Sequence, residues 1–145
     1  MSIVRPFACF VFLLTASGCG DGGGKANAPL TGAALGQQLF TQCGICHSPA
    51  DPATAAGQIR LTGPNLWNVV GRPSASFDGY AYSPAMRKAG LVWDEETLDR
   101  FIDTPQMVVP GTRMSFAGVH DAGERQAIID YLKTLKPSPT DQSQD

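Results

Sequence analysis

The chain has 145 residues, 43 % hydrophobic and 17 % charged, which is enough apolar material for one domain with appendages. Its formal net charge is −2, and it has no basic run with interleaved aromatics, which excludes nucleic-acid binding. With 16 glycines and 11 prolines, it reads as short elements joined by long loops.

Residues 1–18, MSIVRPFACFVFLLTASG, carry Arg5 and then an apolar run from Pro6 to Ala16. The run is too short to span a bilayer, which takes about 20 residues, but it suits a signal-peptide core of about 7–15. Ala16, Ser17 and Gly18 precede Cys19, and this end resembles the lipobox of bacterial lipoproteins, with Ala16 in place of the usual leucine. The resemblance implies an acylated Cys19 and a lipid anchor. The plainer alternative is an ordinary secretory peptide cut near the same point. Both place the body outside the cytoplasm, on the periplasmic side of a bacterial membrane. Residues 19–30 are glycine-rich and read as a tether, which as a random coil would reach roughly 20 Å. Without Arg5 the exported chain keeps 10 basic and 13 acidic residues, a net charge of −3.

The body, 31–136, reads as all-α. Thr31 can cap a helix running to about Gln42, with Leu35 and Leu39 one turn apart. CGICH follows at 43–47, then a long loop over about 48–82. Ser83 and Pro84 give the cap and first turn of a short helix ending at Gly90. Asp94 caps EETLDRFID, which Pro105 ends. Asp121 and Glu124 have capping-box spacing and open a helix to about Leu135, with Ile128, Tyr131, Leu132 and Leu135 on one stripe. Residues 137–145, PSPTDQSQD, read as a disordered polar tail. No strand-like alternation occurs. Loops this long in so small a domain call for something to wrap around.

CGICH supplies a candidate for that role. Cys-x-x-Cys-His is the attachment spacing of c-type haem: two thiols add to the porphyrin vinyl groups, and the next residue turns its imidazole to the iron. Cys9 and Cys19 belong to the N-terminal segment, so Cys43 and Cys46 are not part of a disulfide scaffold. A zinc site would need four ligands, and His120 is the only other strong nitrogen donor in the body. A thioredoxin-like pair would need alternating strands and helices. The sixth iron ligand has four candidates, Met86, Met107, Met114 and His120. A thioether opposite His47 would raise the reduction potential and close the iron to other ligands. Met114 lies in the irregular stretch VVPGTRMSFAG, and spacing leans to it without deciding.

From about Gly36 to Lys133 the chain resembles the mitochondrial-type class I cytochromes c and their bacterial relatives. CGICH, TGPNLWNVVGR, PGTRMSFAG and GERQAIIDYLKTL are similar to four family motifs in the family's order. The resemblance implies a small cytochrome c fold: four to five short helices and long loops around one covalent haem c. It implies Cys43 and Cys46 as attachment points and His47 and Met114 as axial ligands. Pro64 would accept a hydrogen bond from the proximal imidazole. Arg72, Tyr82 and Trp93 would serve the propionates, with Thr112 and Phe116 flanking the Met114 loop. Gly36 and Phe40 would meet Tyr131 where the terminal helices cross.

The chain departs from the family pattern in three places. Phe101 stands where the family usually has a tyrosine. The segment after His47, SPADPATAAGQIRLT, is longer than in animal proteins. Gln42, Gln106 and Met107 occupy positions that are commonly lysine, leaving Arg113 as the main survivor of the basic ring. The expected function is one-electron transfer between redox protein partners, a respiratory oxidase, a cytochrome complex or an exported dehydrogenase, with no small-molecule substrate and no enzymatic activity. The lost lysines and the tether together suggest encounters on a shared membrane rather than long-range steering. The competing readings are a fixed subunit of a larger oxidase or dehydrogenase, and a haem peroxidase or gas-binding protein with an open sixth site.

Overall fold

The computed structural model describes residues 29–137. The signal-like segment, Cys19, most of the tether and most of the polar tail lie outside the described residues. The described chain forms six short helices: α1 Gly32–Leu39, α2 Thr41–Gly44, α3 Pro84–Lys88, α4 Glu95–Asp103, α5 Pro105–Val108 and α6 Ala122–Thr134. Its only β pairing is an isolated bridge, Pro73 to Val92. The all-α expectation holds, with more and shorter helices than four to five.

The first helix differs from its expected form. It divides at Phe40, and hydrogen bonding continues through that residue: Phe40 N–H donates to Gly36 O at 2.8 Å, and Gly44 N–H donates to Phe40 O at 2.8 Å. The helical path therefore runs beyond Gln42 into CGICH. Thr31 holds the N-cap position without a side-chain cap bond. The other caps follow the sequence. Ser83 accepts from Met86 N–H, Asp94 from Thr97 N–H and Asp121 from Glu124 N–H, each satisfying an amide that the helix itself leaves unpaired. Among the described residues Glu124 makes no return bond, so the capping box is half formed. Pro105 ends α4 as expected and also opens α5, because a residue with no N–H and a fixed φ suits a first helical turn.

Helices α1 and α6 pack together at Gly36. A Cβ there would lie 1.8 Å from Ala127 O and 2.9 Å from Tyr131 Cβ, so no larger residue permits the crossing. Phe40 and Tyr131 pack beside it with their rings tilted, centroids 5.1 Å apart. The buried core continues through Ile128, Ile129, Leu132, Leu98, Phe101 and Trp93.

Arg125 fastens α6 to α4. Its Nε donates to Asp99 Oδ1 at 2.7 Å, and its Nη1 donates to Val119 O and His120 O, both at 3.0 Å. His120 Nδ1 lies 2.9 Å from Asp103 Oδ1, and Val119 N–H donates to Ile102 O at 3.0 Å. The segment carrying Met114 is thus closed at its base. The longer segment after His47 is folded against the body: Asn65 Nδ2 donates to Ala50 O at 2.8 Å and Gly57 O at 3.2 Å. No helix among the described residues is long and apolar enough to cross a membrane.

Candidate functional site

The turn ending α2 presents Cys43, Cys46 and His47. Cys46 and His47 N–H both donate to Cys43 O, at 3.0 and 2.9 Å. Both thiols are free, Cys43 half-buried and Cys46 exposed. Burial, with a smaller contribution from Cys46, pushes the Cys43 thiol up to about 11. It is therefore protonated at neutral pH.

The His47 ring faces inward, with Nδ1 2.7 Å from Pro64 O. A carbonyl can only accept, so Nδ1 carries the proton and Nε2 presents its lone pair. Burial holds the imidazole below its ordinary pKa and so favours the neutral ring that a metal requires; the Pro64 bond opposes this only in part. Gly63 provides the space: a Cβ there would lie 2.4 Å from His47 Cε1. Among the described residues no group of three or more His, Cys, Asp or Glu side chains is placed to hold a metal ion.

The four ligand candidates occupy different settings. Met86 is buried in α3 within the core. Met107 lies on α5 and is 78 % exposed, as a residue with no partner in the core. His120 is tied to Asp103, with its side chain 72 % exposed. Met114 is half-buried and packs against the core from an irregular loop. Its backbone is held on both sides: Met114 N–H donates to Thr112 Oγ1 at 3.3 Å, and Gln106 Nε2 donates to Met114 O at 3.1 Å and Thr112 O at 3.3 Å. Thr112 is buried and Phe116 half-buried against the core.

The residues expected at the propionates are also interior. Trp93 is buried and packs on Phe101, with centroids 4.9 Å apart. Tyr82 is half-buried and its hydroxyl accepts from Phe77 N–H at 3.3 Å; burial raises its pKa. Arg72 donates from Nη1 to Trp67 O at 2.9 Å and from Nη2 to Asn65 O at 3.0 Å. Its Nε is buried without a partner. A buried, orphaned N–H of a cation is costly, and a carboxylate acceptor would relieve it. Free thiols at attachment spacing, an oriented neutral imidazole and this orphaned donor together fit a haem.

Sequence reasoning missed two positioning groups. Asn65 both organises the segment after His47 and supplies the carbonyl under Arg72. Gln106, read only as a lost lysine, holds the Met114 loop through two backbone carbonyls. Neither role leaves a local signal, because each depends on carbonyls brought in from elsewhere in the chain.

The Cytochrome c family model matches residues 33–136. A cytochrome c of Euglena viridis is 43 % identical over 102 residues, covering 70 % of this chain and 94 % of that protein. A cytochrome c2 of Blastochloris viridis is 39 % identical over 130 residues, covering 90 % and 93 %. Among solved structures, cytochrome cH from Methylobacterium extorquens aligns with a TM-score of 0.64 at 38 % identity, covering 71 % of this chain and 98 % of that one.

Proposed function

This chain belongs to the cytochrome c family of electron carriers, whose members bind haem c covalently, and from that premise we propose that it is an exported one-electron carrier with its haem fixed by Cys43 and Cys46 and ligated by His47 and Met114. The bound group would supply an iron centre able to take up and release one electron. The chain's own residues do the rest. Cys43 and Cys46 hold the group on the α2 turn. Pro64 O orients the His47 ring and keeps its proton on Nδ1, which raises the basicity of the ligating nitrogen. Thr112 and Gln106 fix the backbone of Met114, so that its thioether returns to one position. Arg72 Nε, with Tyr82 and Trp93, would receive the propionates. Phe101 brings no hydroxyl to this interior, which leaves more electron density on the Met114 sulfur than a tyrosine would.

The observation that carries this reading is the half-buried His47 ring, pinned through Nδ1 to Pro64 O at 2.7 Å beside two free thiols. The partners are redox proteins, and Cys19 is the acylation site that holds the carrier at the periplasmic face of a membrane. The visible spectrum tests the ligation. In protein matured with haem, the oxidised form is expected to show the weak far-red band of methionine–iron ligation, and Met114→Ala to abolish it. A wild type lacking the band, or binding carbon monoxide readily once reduced, would favour the peroxidase or gas-binding alternative. Loss of membrane association in Cys19→Ser, with mass spectrometry of the mature N-terminus, tests the anchor.

A further inference from the structure

The chain enters α1 through an open groove of about 400 Å³ beside the first turns of α1 and α6, and Thr31 and Gly32 themselves line it. The lining is mostly apolar. Leu35, Gly123 and Ala127 contribute to it together with three carboxylates, Asp121, Glu124 and Asp130, and with no lysine or arginine. Leu35 is half-buried but takes no part in the core, and Leu30, just before the groove, is 50 % exposed. The carboxylates are unequally engaged. Asp121 caps α6 through Glu124 N–H, and Asp130 accepts from Gln126 and shares Lys133 with Glu95. The Glu124 side chain has no partner among the described residues. Each helix start carries about half a positive charge, so two of them do not offset three carboxylates. The groove therefore combines apolar surface with negative charge.

We propose that this groove is the docking site of residues 25–28 of the same chain, which lie outside the described residues, with Lys25 set among its carboxylates. Charge, side-chain chemistry and reach all select this segment. Lys25 is the only lysine or arginine between Arg5 and Arg60. A lysine lays its methylene stem on apolar surface while its ammonium stays with polar groups, and the lining offers both. From Lys25 to Thr31 is six residues, a span of up to about 20 Å, whereas Gly123 to Asp130 covers only about 10 Å of α6. The polar tail, 137–145, carries Asp141 and Asp145 and no cation, so its charge is wrong for the site. Exposed charge contacts are weak singly, but a segment joined to the edge of the groove acts at an effective concentration in the millimolar range. Composition divides the tether at the same point: residues 19–24, CGDGGG, hold four glycines, and residues 25–30, KANAPL, hold none. With the second half docked, the random-coil reach of the tether falls from roughly 20 Å to roughly 13 Å. The domain is then held nearer to Cys19 and turns less freely about it.

The shortened reach rests on the acylation of Cys19 proposed above, whereas the docking of Lys25 does not. The test treats the haem-loaded protein with a carbodiimide, which joins an amine to a neighbouring carboxylate as an amide and takes up the water as a urea. Mass spectrometry then maps the links. Links from Lys25 to Asp121, Glu124 or Asp130 are expected, and within single chains in a mixture of 14N- and 15N-labelled protein. Trypsin gives a second reading at the Lys25–Ala26 bond, with each rate taken relative to the peptide GGGKANAPL. Glu124→Gln with Asp130→Asn should raise that rate about three- to tenfold, the combined effect of two exposed charge contacts. About 0.5 M salt should act in the same direction, and Glu96→Gln, on α4, should leave the rate unchanged. Links that join two chains would make a second copy the occupant and overturn the proposal. So would Lys25 links only to other carboxylates, the absence of any link, or a cut that the double variant does not accelerate. The links are read on the unaltered chain, so the outcome does not depend on how well a variant folds. Membrane association of Cys19→Ser keeps the two readings apart. A wild type that links Lys25 but associates no better than Cys19→Ser contradicts the anchor, and one that associates without linking contradicts the docking.

Discussion

At the scale of single residues, the site depends on close approach. Gly63 lies so near the His47 ring that a methyl group cannot be added without moving the imidazole and lengthening its bond to Pro64 O. Gly63→Ala is expected to lower stability by about 1–3 kcal/mol, typical of overpacking at a tight position, and to reduce the fraction of chains that carry haem. Urea unfolding and the haem-to-protein absorbance ratio measure the two effects. Wild-type values for both would mean that the ring has room to spare. Gln106 carries a similar lesson: its amide holds Thr112 O and Met114 O, so replacing it with lysine would change the Met114 loop as well as the surface charge. Met107, exposed and without such bonds, is the cleaner place to restore a lysine.

At the scale of elements, the helix boundaries show which signals act locally. Ser83, Asp94 and Asp121 were legible as caps because a side chain and an amide three residues on are neighbours in any helix start. Helix α5 was not legible, since a proline after a helix reads as a stop before it reads as a start. CGICH was legible because its whole chemistry fits in five residues. Arg72, Asn65 and Gln106 were not legible in detail, because their partners are carbonyls that only the folded chain brings near. The Asp94 cap is expected to show itself through pH. Its carboxylate is held below 3.8, mainly by the Thr97 amide and then by the Thr97 side chain. The folded state therefore binds fewer protons than the unfolded one, and the cap's contribution is present above 3.8 and lost as pH falls through the lower folded value. Asp94→Ala should lower the melting temperature at neutral pH, with a gap to wild type that closes in acid. A gap of constant size down to acid pH would show that the cap bond does not depend on ionisation.

The crossing of α1 and α6 makes the same argument for a pair of elements. A Cβ at Gly36 would sit 1.8 Å from a backbone carbonyl, an atom that cannot swing aside as a side chain can. Gly36→Ala should therefore force the helices apart and cost more than the ~1–3 kcal/mol of ordinary overpacking, even though alanine is the better helix former by about 1 kcal/mol. Thermal unfolding checks the sign: a stabilised variant would mean that α1 can slide along α6.

At the scale of the whole molecule, caps, helical stripes and short motifs made the fold class and cofactor chemistry more readable than the surface. The net charge was readable, but its distribution was not. Residues 52–93 carry Arg60, Arg72, Arg87 and Lys88 against Asp78, while residues 94–103 carry Asp94, Glu95, Glu96, Asp99 and Asp103 against Arg100. Sequence order shows this imbalance once it is sought, yet only the folded chain reveals that Arg113 joins the first group and Arg125 is absorbed by the second. A sum over the chain therefore says little about what an approaching partner meets.

The Arg125 fastening has a consequence for local opening. Because α4, Val119 and the start of α6 are joined to one another below the Met114 loop, that loop can detach from the core while its base stays closed. It is held mainly by Gln106, the Arg113 contact and the packing of Met114 and Phe116, so it forms a cooperative unit smaller than the domain. Its opening free energy lies below that of global unfolding, and Met114 can leave the core in a molecule whose helices have not come apart.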